Sequence, residues 1–180
     1  ADTVIKDIHQ KLRFQMENII LIGMPGCGKS TVGKILAERL GRCFVDADAE
    51  IVETAGMTIS EIFTSSGEAD FRLIETQVLE KLGKQSGLVI ATGGGCVTQE
   101  RNYPLLHQNG ICVWLTRDLD LLPVNGRPLS QNGKLEQMYQ VRKPLYKCFA
   151  DVTVCNSQTP EDCANAILEQ LTYGGKYENL

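Results

Sequence analysis

The sequence holds no apolar run longer than a strand, no Cys-x-x-Cys pair, two histidines, one tryptophan and no block of basic residues. Each shortage excludes something. A bilayer-crossing helix needs about 20 consecutive apolar residues, so no membrane partner is expected. A nucleic-acid partner is not expected either: the net charge is −4 and no basic stripe exists. The seven cysteines (27, 43, 96, 112, 148, 155, 163) are odd in number, scattered and without metal spacing. They read as reduced thiols of a cytoplasmic protein. His9 and His107 have no partners nearby in sequence and receive no role. Repeats and low-complexity segments do not appear, and no stretch of these residues reads as a signal peptide.

What is present describes an ordinary globular chain. At 180 residues, 43% hydrophobic and 22% charged, one domain with a full core is expected. Short apolar runs at 19–22, 43–45, 88–91, 111–115 and 152–155 read as strands. Between them lie helical patterns at 29–40, 49–55, 68–82, 100–108 and 135–149, and a last helix opened by Thr159-Pro160-Glu161-Asp162. Thr58-Ile59-Ser60-Glu61 is a capping box for a further short helix. Pro144 is expected to kink or restart the helix around it. Strands alternating with helices imply an α/β fold, a parallel sheet covered on both faces. Residues 1–17 read as an N-terminal extension or linker, with Val4, Ile5, Ile8 and Leu12 at helical spacing. The domain proper is expected over 18–172. Residues 173–180 read as a loose tail, whose Glu178-Asn179-Leu180 matches the start of a protease-site tag. A place within a longer fused chain is left open by this reading.

The chemistry begins at Gly23-Met24-Pro25-Gly26-Cys27-Gly28-Lys29-Ser30, a G-x-x-x-x-G-K-[ST] segment between a strand and a helix. Gly23, Gly26 and Gly28 let successive N–H groups converge on one anion. The helix that starts near Lys29 adds its positive end. Lys29 can reach the β- and γ-phosphates of a nucleoside triphosphate, and the Ser30 hydroxyl can ligate Mg²⁺. Cys27 is either a small filler or a thiol acidified by Lys29 and the helix end.

Ligands of open parallel sheets sit beyond the carboxyl ends of the strands, so the residues just after each strand are the candidates. Asp46-Ala47-Asp48 offers one carboxylate for Mg²⁺ and one to take a proton from a hydroxyl. Asparates at a helix cap give the same pattern. Gly93-Gly94-Gly95 is costly unless the backbone must approach something closely; a wide loop is the alternative. Arg72 can pair with Glu75 at i, i+3, either as a plain ion pair or as a fork held ready for a carboxylate. Arg127, after the loop at 116–126, suits a closing lid that excludes water. Arg142 precedes Pro144. Singly, each arginine reads as surface charge.

Taken together, the phosphate-loop segment, Phe44-Val45-Asp46-Ala47-Asp48, Phe71-Arg72-x-x-Glu75, Ala91-Thr92-Gly93-Gly94-Gly95, Arg127-Pro128-Leu129 and Arg142-x-Pro144-Leu145-Tyr146 closely resemble the shikimate kinase family over about 18–171. The resemblance implies a five-stranded sheet in the order 2-3-1-4-5. It implies phosphoryl transfer from ATP to the 3-hydroxyl of shikimate, with Mg²⁺ held by Ser30 and Asp46. It implies ATP contacts from Gly23, Pro25, Gly26, Cys27, Gly28, Lys29, Ser30, Thr31 and Arg127. Shikimate contacts would come from Asp48, Arg72, Gly93, Gly94, Gly95 and Arg142, and Lys29, Asp48 and Arg127 would be catalytic. A cytoplasmic monomer is expected. The lid segment departs from the pattern: 119–126 holds no arginine to stack on adenine, and Arg117 stands at the very end of a strand. The alternatives are a kinase of another small hydroxy acid, such as gluconate, and a silent shikimate-binding sensor.

Overall fold

The computed structural model describes residues 2–122 and 132–173. Arg127 and the rest of Arg-Pro-Leu, like the tail at 174–180, lie outside them. The strands are β1 (Asn18–Ile22), β2 (Cys43–Asp46), β3 (Leu88–Ala91), β4 (Gly110–Thr116) and β5 (Val152–Cys155). They form one sheet ordered β2-β3-β1-β4-β5, with every pairing parallel. All five residues of β1 and all four of β3 are buried. That is why these strands read as unbroken apolar runs: a parallel sheet is covered on both faces.

The helices are α1 (Asp2–Met16), α2 (Lys29–Leu40), α3 (Ala47–Ala55), α4 (Ile59–Ser65), α5 (Gly67–Gly83), α6 (Asn102–His107), α7 (Asn132–Phe149) and α8 (Pro160–Tyr173). α2 packs on β2, β3 and α8, while α6 and α7 pack on β4. The ends follow local chemistry. Gly41 takes φ 62° to close α2. Thr58 and Glu61 make the expected reciprocal capping box.

Three expectations change. α3 starts two residues early, because the Asp46 side chain accepts the Asp48 N–H and caps the helix. α6 is shorter than 100–108: a 3₁₀ turn at Cys96–Thr98 precedes it, and Asn102 Nδ2 donates to Cys96 O at 2.8 Å to fix the turn. α7 runs through Pro144 without a break. Proline removes one N–H from the ladder, and the flanking turns, packed on β4, carry the helix across.

The C-terminal end of α1 packs against the residues that follow α2. Phe14 is buried, the Arg42 guanidinium lies over its ring at 4.7 Å, and Arg42 donates to the Glu17 carbonyl at 2.9 Å and to the Phe14 carbonyl. Val4, Ile5, Ile8 and Leu12 nevertheless stay exposed.

Candidate active site

The loop between β1 and α2 turns at three glycines with positive φ: Gly23 (147°), Gly26 (78°) and Gly28 (99°). L side chains rarely adopt these angles. Space forbids them too. A Cβ on Gly23 would lie 2.5 Å from the Leu115 carbonyl, and one on Gly28 would lie 2.4 Å from Asn156 Nδ2. Asn156, buried just after β5, donates to the Cys27 carbonyl at 2.8 Å and so fixes the loop from behind. It is a supporting residue that the motif reading missed. Its signal was available: a polar side chain immediately beyond a strand's carboxyl end.

The Lys29 ammonium is buried and curls onto the Gly23 and Met24 carbonyls at 2.9 and 3.0 Å. Two backbone dipoles thus hold the charge at the mouth of the helix. Cys27 lies against it, Sγ 3.9 Å from Nζ. Burial pushes the Cys27 thiol up, and the opposing pull of Lys29 does not reverse it. Of the two readings of Cys27, the filler stands.

Across the loop, Ser30 Oγ donates to Asp46 Oδ2 at 2.7 Å, and Asp46 Oδ1 accepts the Asp48 N–H at 3.0 Å. One carboxylate therefore joins α2 to β2 and caps α3. Asp48 faces the same space. Burial raises its carboxyl above the ordinary range and the Asp46 charge adds to this, while Lys29 and Arg72 pull it back.

The three glycines after β3 are explained by proximity, since none has positive φ. A Cβ on Gly93 would stand 2.8 Å from Asp48 Oδ1 and 3.0 Å from Glu75 Oε1. One on Gly94 would meet the Pro25 ring at 2.6 Å, and one on Gly95 would meet the Arg72 guanidinium at 2.3 Å. The triple glycine is the hub where the phosphate loop, the Asp48 carboxylate and the α5 ion pair converge.

That pair is Arg72 Nη1 on Glu75 Oε2 at 2.7 Å, with a longer contact to Glu68 at 3.2 Å. Glu75 is 1% exposed. Burial drives its carboxyl up, and Arg72 opposes that. Burial lowers the Arg72 guanidinium, but Glu75 and Glu68 together outweigh it, and Arg72 ends above its usual value. Arg72 Nε and Glu75 Oε1 have no partner among the described residues. Buried polar atoms seldom stay unsatisfied, so this pair is built to receive something.

From α7, Arg142 Nη1 donates to the Gly94 carbonyl at 3.2 Å, and Tyr146 Oη donates to the same oxygen at 2.5 Å. Tyr146 is fully buried and stacks on Trp114 at 5.7 Å. Burial raises its phenol well above the usual value. It is the second residue whose part was not assigned from sequence.

A cavity of about 610 Å³ opens between the phosphate loop and Gly94, lined by Lys29, Ser30, Asp46, Asp48, Gly94 and Arg117 among others; Arg72 against Gly95 and Arg142 against the Gly94 carbonyl stand beside it and do not line it. Arg117 thus faces the same space as the phosphate loop, although it directly follows β4. Pro25, Gly26, Gly28 and Thr31 also line the cavity, whereas Cys27 sits behind it. Every expected site residue within the described residues falls at this end of the sheet.

Comparison with known proteins agrees with the geometry. The family model "Shikimate kinase" matches residues 25–172. A shikimate kinase of Synechococcus sp. is 45% identical over 172 residues, covering 89% of this chain and 85% of that one. The structure of shikimate kinase from Acinetobacter baumannii in complex with shikimate superposes with a TM-score of 0.84 at 40% identity, covering 92% of this chain and 98% of that one. A gluconokinase from Sinorhizobium meliloti reaches a TM-score of 0.56 at 17% identity, covering 93% and 99%, a likeness of fold alone.

Proposed function

The chain belongs to the shikimate kinase family, and from that premise we propose how its cavity divides the work. It is an ATP-dependent kinase with a hydroxyl acceptor. In our reading the acceptor is the 3-hydroxyl of shikimate. The observation that carries this is the single cavity with Lys29 and Ser30 on one wall and Asp48 and Gly94 on the other.

The loop amides of 23–31 and Lys29 hold the phosphates of ATP. Lys29 leaves the Gly23 and Met24 carbonyls for the phosphates, which carry a fuller charge than carbonyl dipoles do. Ser30 and Asp46 present hard oxygens 2.7 Å apart, the donor type that Mg²⁺ takes. These two residues would hold the ion, which when bound neutralises charge on the β- and γ-phosphates. Arg72, primed by Glu75, and Arg142, aimed by the Gly94 carbonyl, grip the shikimate carboxylate. The bare Cα atoms of Gly93, Gly94 and Gly95 let the ring approach. Asp48 orients the hydroxyl and accepts its proton as the phosphoryl group moves. Arg127, which lies outside the described residues, takes the role of the arginine that meets the transferring phosphate. Most of the rate then comes from positioning and from charges fixed in advance.

Cytoplasmic action as a monomer belongs to the same proposal. The seven cysteines form no disulfide, which supports the first part; light scattering measures the second. The function itself is tested by ADP release with shikimate, quinate and gluconate as acceptors. Turnover with shikimate well above the others is expected. Gluconate turned over as fast or faster would overturn the reading and favour the rival acceptor.

A further inference from the structure

At the opposite end of the strands from the cavity, three chemistry-bearing side chains converge that lie far apart or unremarked in the sequence. His107 ends α6, Cys112 is in the first half of β4, and Asp151 immediately precedes β5. Among the described residues this is the group whose imidazole nitrogen, thiol sulfur and carboxylate oxygen all lie within 4.8 Å of one another.

The geometry of His107 is specific. One ring nitrogen, Nδ1, lies 2.9 Å from the Tyr103 carbonyl. A carbonyl only accepts, so Nδ1 carries the proton. Nε2 faces Asp151 Oδ2, 3.5 Å away. A nitrogen facing a carboxylate oxygen calls for a positive charge between them, a proton or a metal ion. The separation is at the limit for a hydrogen bond. It fits two ligands of one tetrahedral ion, which at bond lengths of about 2.0–2.1 Å stand roughly 3.3 Å apart. The frame is held in place. Asp151 N–H donates to the Cys112 carbonyl at 2.8 Å, and Cys112 N–H donates to Asp151 Oδ2 at 2.9 Å. The imidazole stacks on Tyr103 at 4.0 Å and meets the edge of Phe149. A ring oriented by Nδ1–H on a backbone carbonyl is the usual outer-shell support of a metal-ligating histidine.

We propose that His107 Nε2, Cys112 Sγ and Asp151 form a binding site for a borderline-soft divalent cation of the Zn²⁺ type, with water as fourth ligand. Nitrogen, sulfur and one oxygen match that class rather than Mg²⁺ or Ca²⁺. The His107 and Asp151 side chains are 17% and 26% exposed, which leaves a way in and room for the water. Binding converts the Cys112 thiol to a metal-bound thiolate, and its proton goes to solvent. The ion would tie α6, β4 and the start of β5 together without touching the phosphate loop.

The test uses the whole chain, reduced and freed of metal by a chelator, titrated with Zn²⁺ against a chromophoric competitor. One equivalent should bind with a Kd on the order of 1 μM or tighter. Co²⁺ in its place should give a thiolate charge-transfer band and intense tetrahedral visible bands. Cys112→Ser and His107→Gln should each weaken binding by about 100-fold or more and abolish the charge-transfer band or the tetrahedral spectrum. Asp151→Asn keeps an acceptor for the Cys112 N–H and serves if Cys112→Ser fails to fold. Removing the exposed thiols Cys43, Cys148 and Cys155 should leave the site intact. Zn²⁺ at about 100 times its Kd should raise Tm by roughly 5 °C or more. Absence of stoichiometric binding would mean that a proton alone fills the gap and overturns the site. So would binding that survives Cys112→Ser and Asp151→Asn, or that disappears with the exposed thiols.

Discussion

The proposed phosphate wall and the proposed acceptor wall, in and beside the cavity, are built on different plans. The phosphate wall is one continuous segment, 23–31. Its shape comes from three left-handed glycines and its charge from a helix end and Lys29. The acceptor wall draws Asp48 from α3, Arg72 and Glu75 from α5, the triple glycine from the end of β3, and Arg142 and Tyr146 from α7. The first wall is backbone held by local turns. The second is a set of buried and half-buried charges held by distant elements, and it carries unsatisfied atoms and shifted carboxyl groups. Recognition of a phosphate chain can be local because every amide offers the same donor. Recognition of a particular hydroxy acid needs several unlike groups around one small ring, which no single segment supplies.

Asp48→Asn attacks the acceptor wall at its chemical step and should cost about 10²–10⁴ in kcat, with KM for ATP little changed. A loss confined to KM would make Asp48 a binding residue. In the parent, the carboxylate is the active form and burial raises its pKa. Activity, read as kcat/KM, should therefore fall with falling pH through a value above the ordinary 3.9 or so of an aspartate. The same shift has a stability consequence. A carboxyl that holds its proton more tightly when folded penalises the folded state above its folded pKa, and the penalty vanishes below the unfolded pKa. Asp48→Asn should thus raise Tm at neutral pH and leave it unchanged in acid, which calorimetry at two pH values would show.

Lys29→Met attacks the phosphate wall. Loss of a fixed charge at the transferring phosphate should lower kcat by about 10²–10³, with an unaltered circular-dichroism spectrum. Activity within tenfold of the parent would remove Lys29 from the mechanism.

The two acceptor-side arginines sharpen the contrast, because their surroundings differ. Arg72→Ala and Arg142→Ala should each raise KM for shikimate about 30-fold or more, the roughly 2–5 kcal/mol of a truncated buried charge contact. Arg72→Ala should also unfold at lower temperature, since Glu75 is left buried and unpaired, a loss of about 3–5 kcal/mol. Arg142, half-buried and donating to the Gly94 carbonyl, leaves no buried carboxylate unpaired and should cost little stability. Equal Tm losses would show that both are structural.

Arg117→Ala should raise KM for ATP about 2- to 30-fold, the roughly 0.5–2 kcal/mol of a guanidinium on an aromatic ring, and leave KM for shikimate alone. The converse pattern would move Arg117 to the acceptor wall. Tyr146→Phe should have the smallest effect. It removes one hydrogen bond to Gly94, about 1 kcal/mol, and should raise KM for shikimate several-fold while KM for ATP stays put.

The alternation of apolar runs with helical patterns was enough to read the parallel sheet, because buried strands and amphipathic helices leave different periods. Gly23 through Ser30 named the phosphate wall unaided, since its function depends on consecutive residues. The caps at Thr58 and Gly41 were equally local. Asp46 and Asp48, Gly93 to Gly95, Arg72 and Arg142 were visible as candidates, yet each alone had a bland reading. Distance in space is what supports a shared site. Asp48 and Glu75 stand within 3 Å of the place a Gly93 side chain would occupy, and Arg72 lies as close to Gly95. Asn156 behind the loop, Tyr146 on Gly94 and His107 beside Cys112 and Asp151 were decided by tertiary structure only. Their roles rest on contacts across 129, 52 and 39 residues of chain for the three anchoring hydrogen bonds. Sequence determines what a segment does to itself, through turns, caps and periodicity. The sheet decides which strand ends meet, and the meeting turns scattered charges into a site.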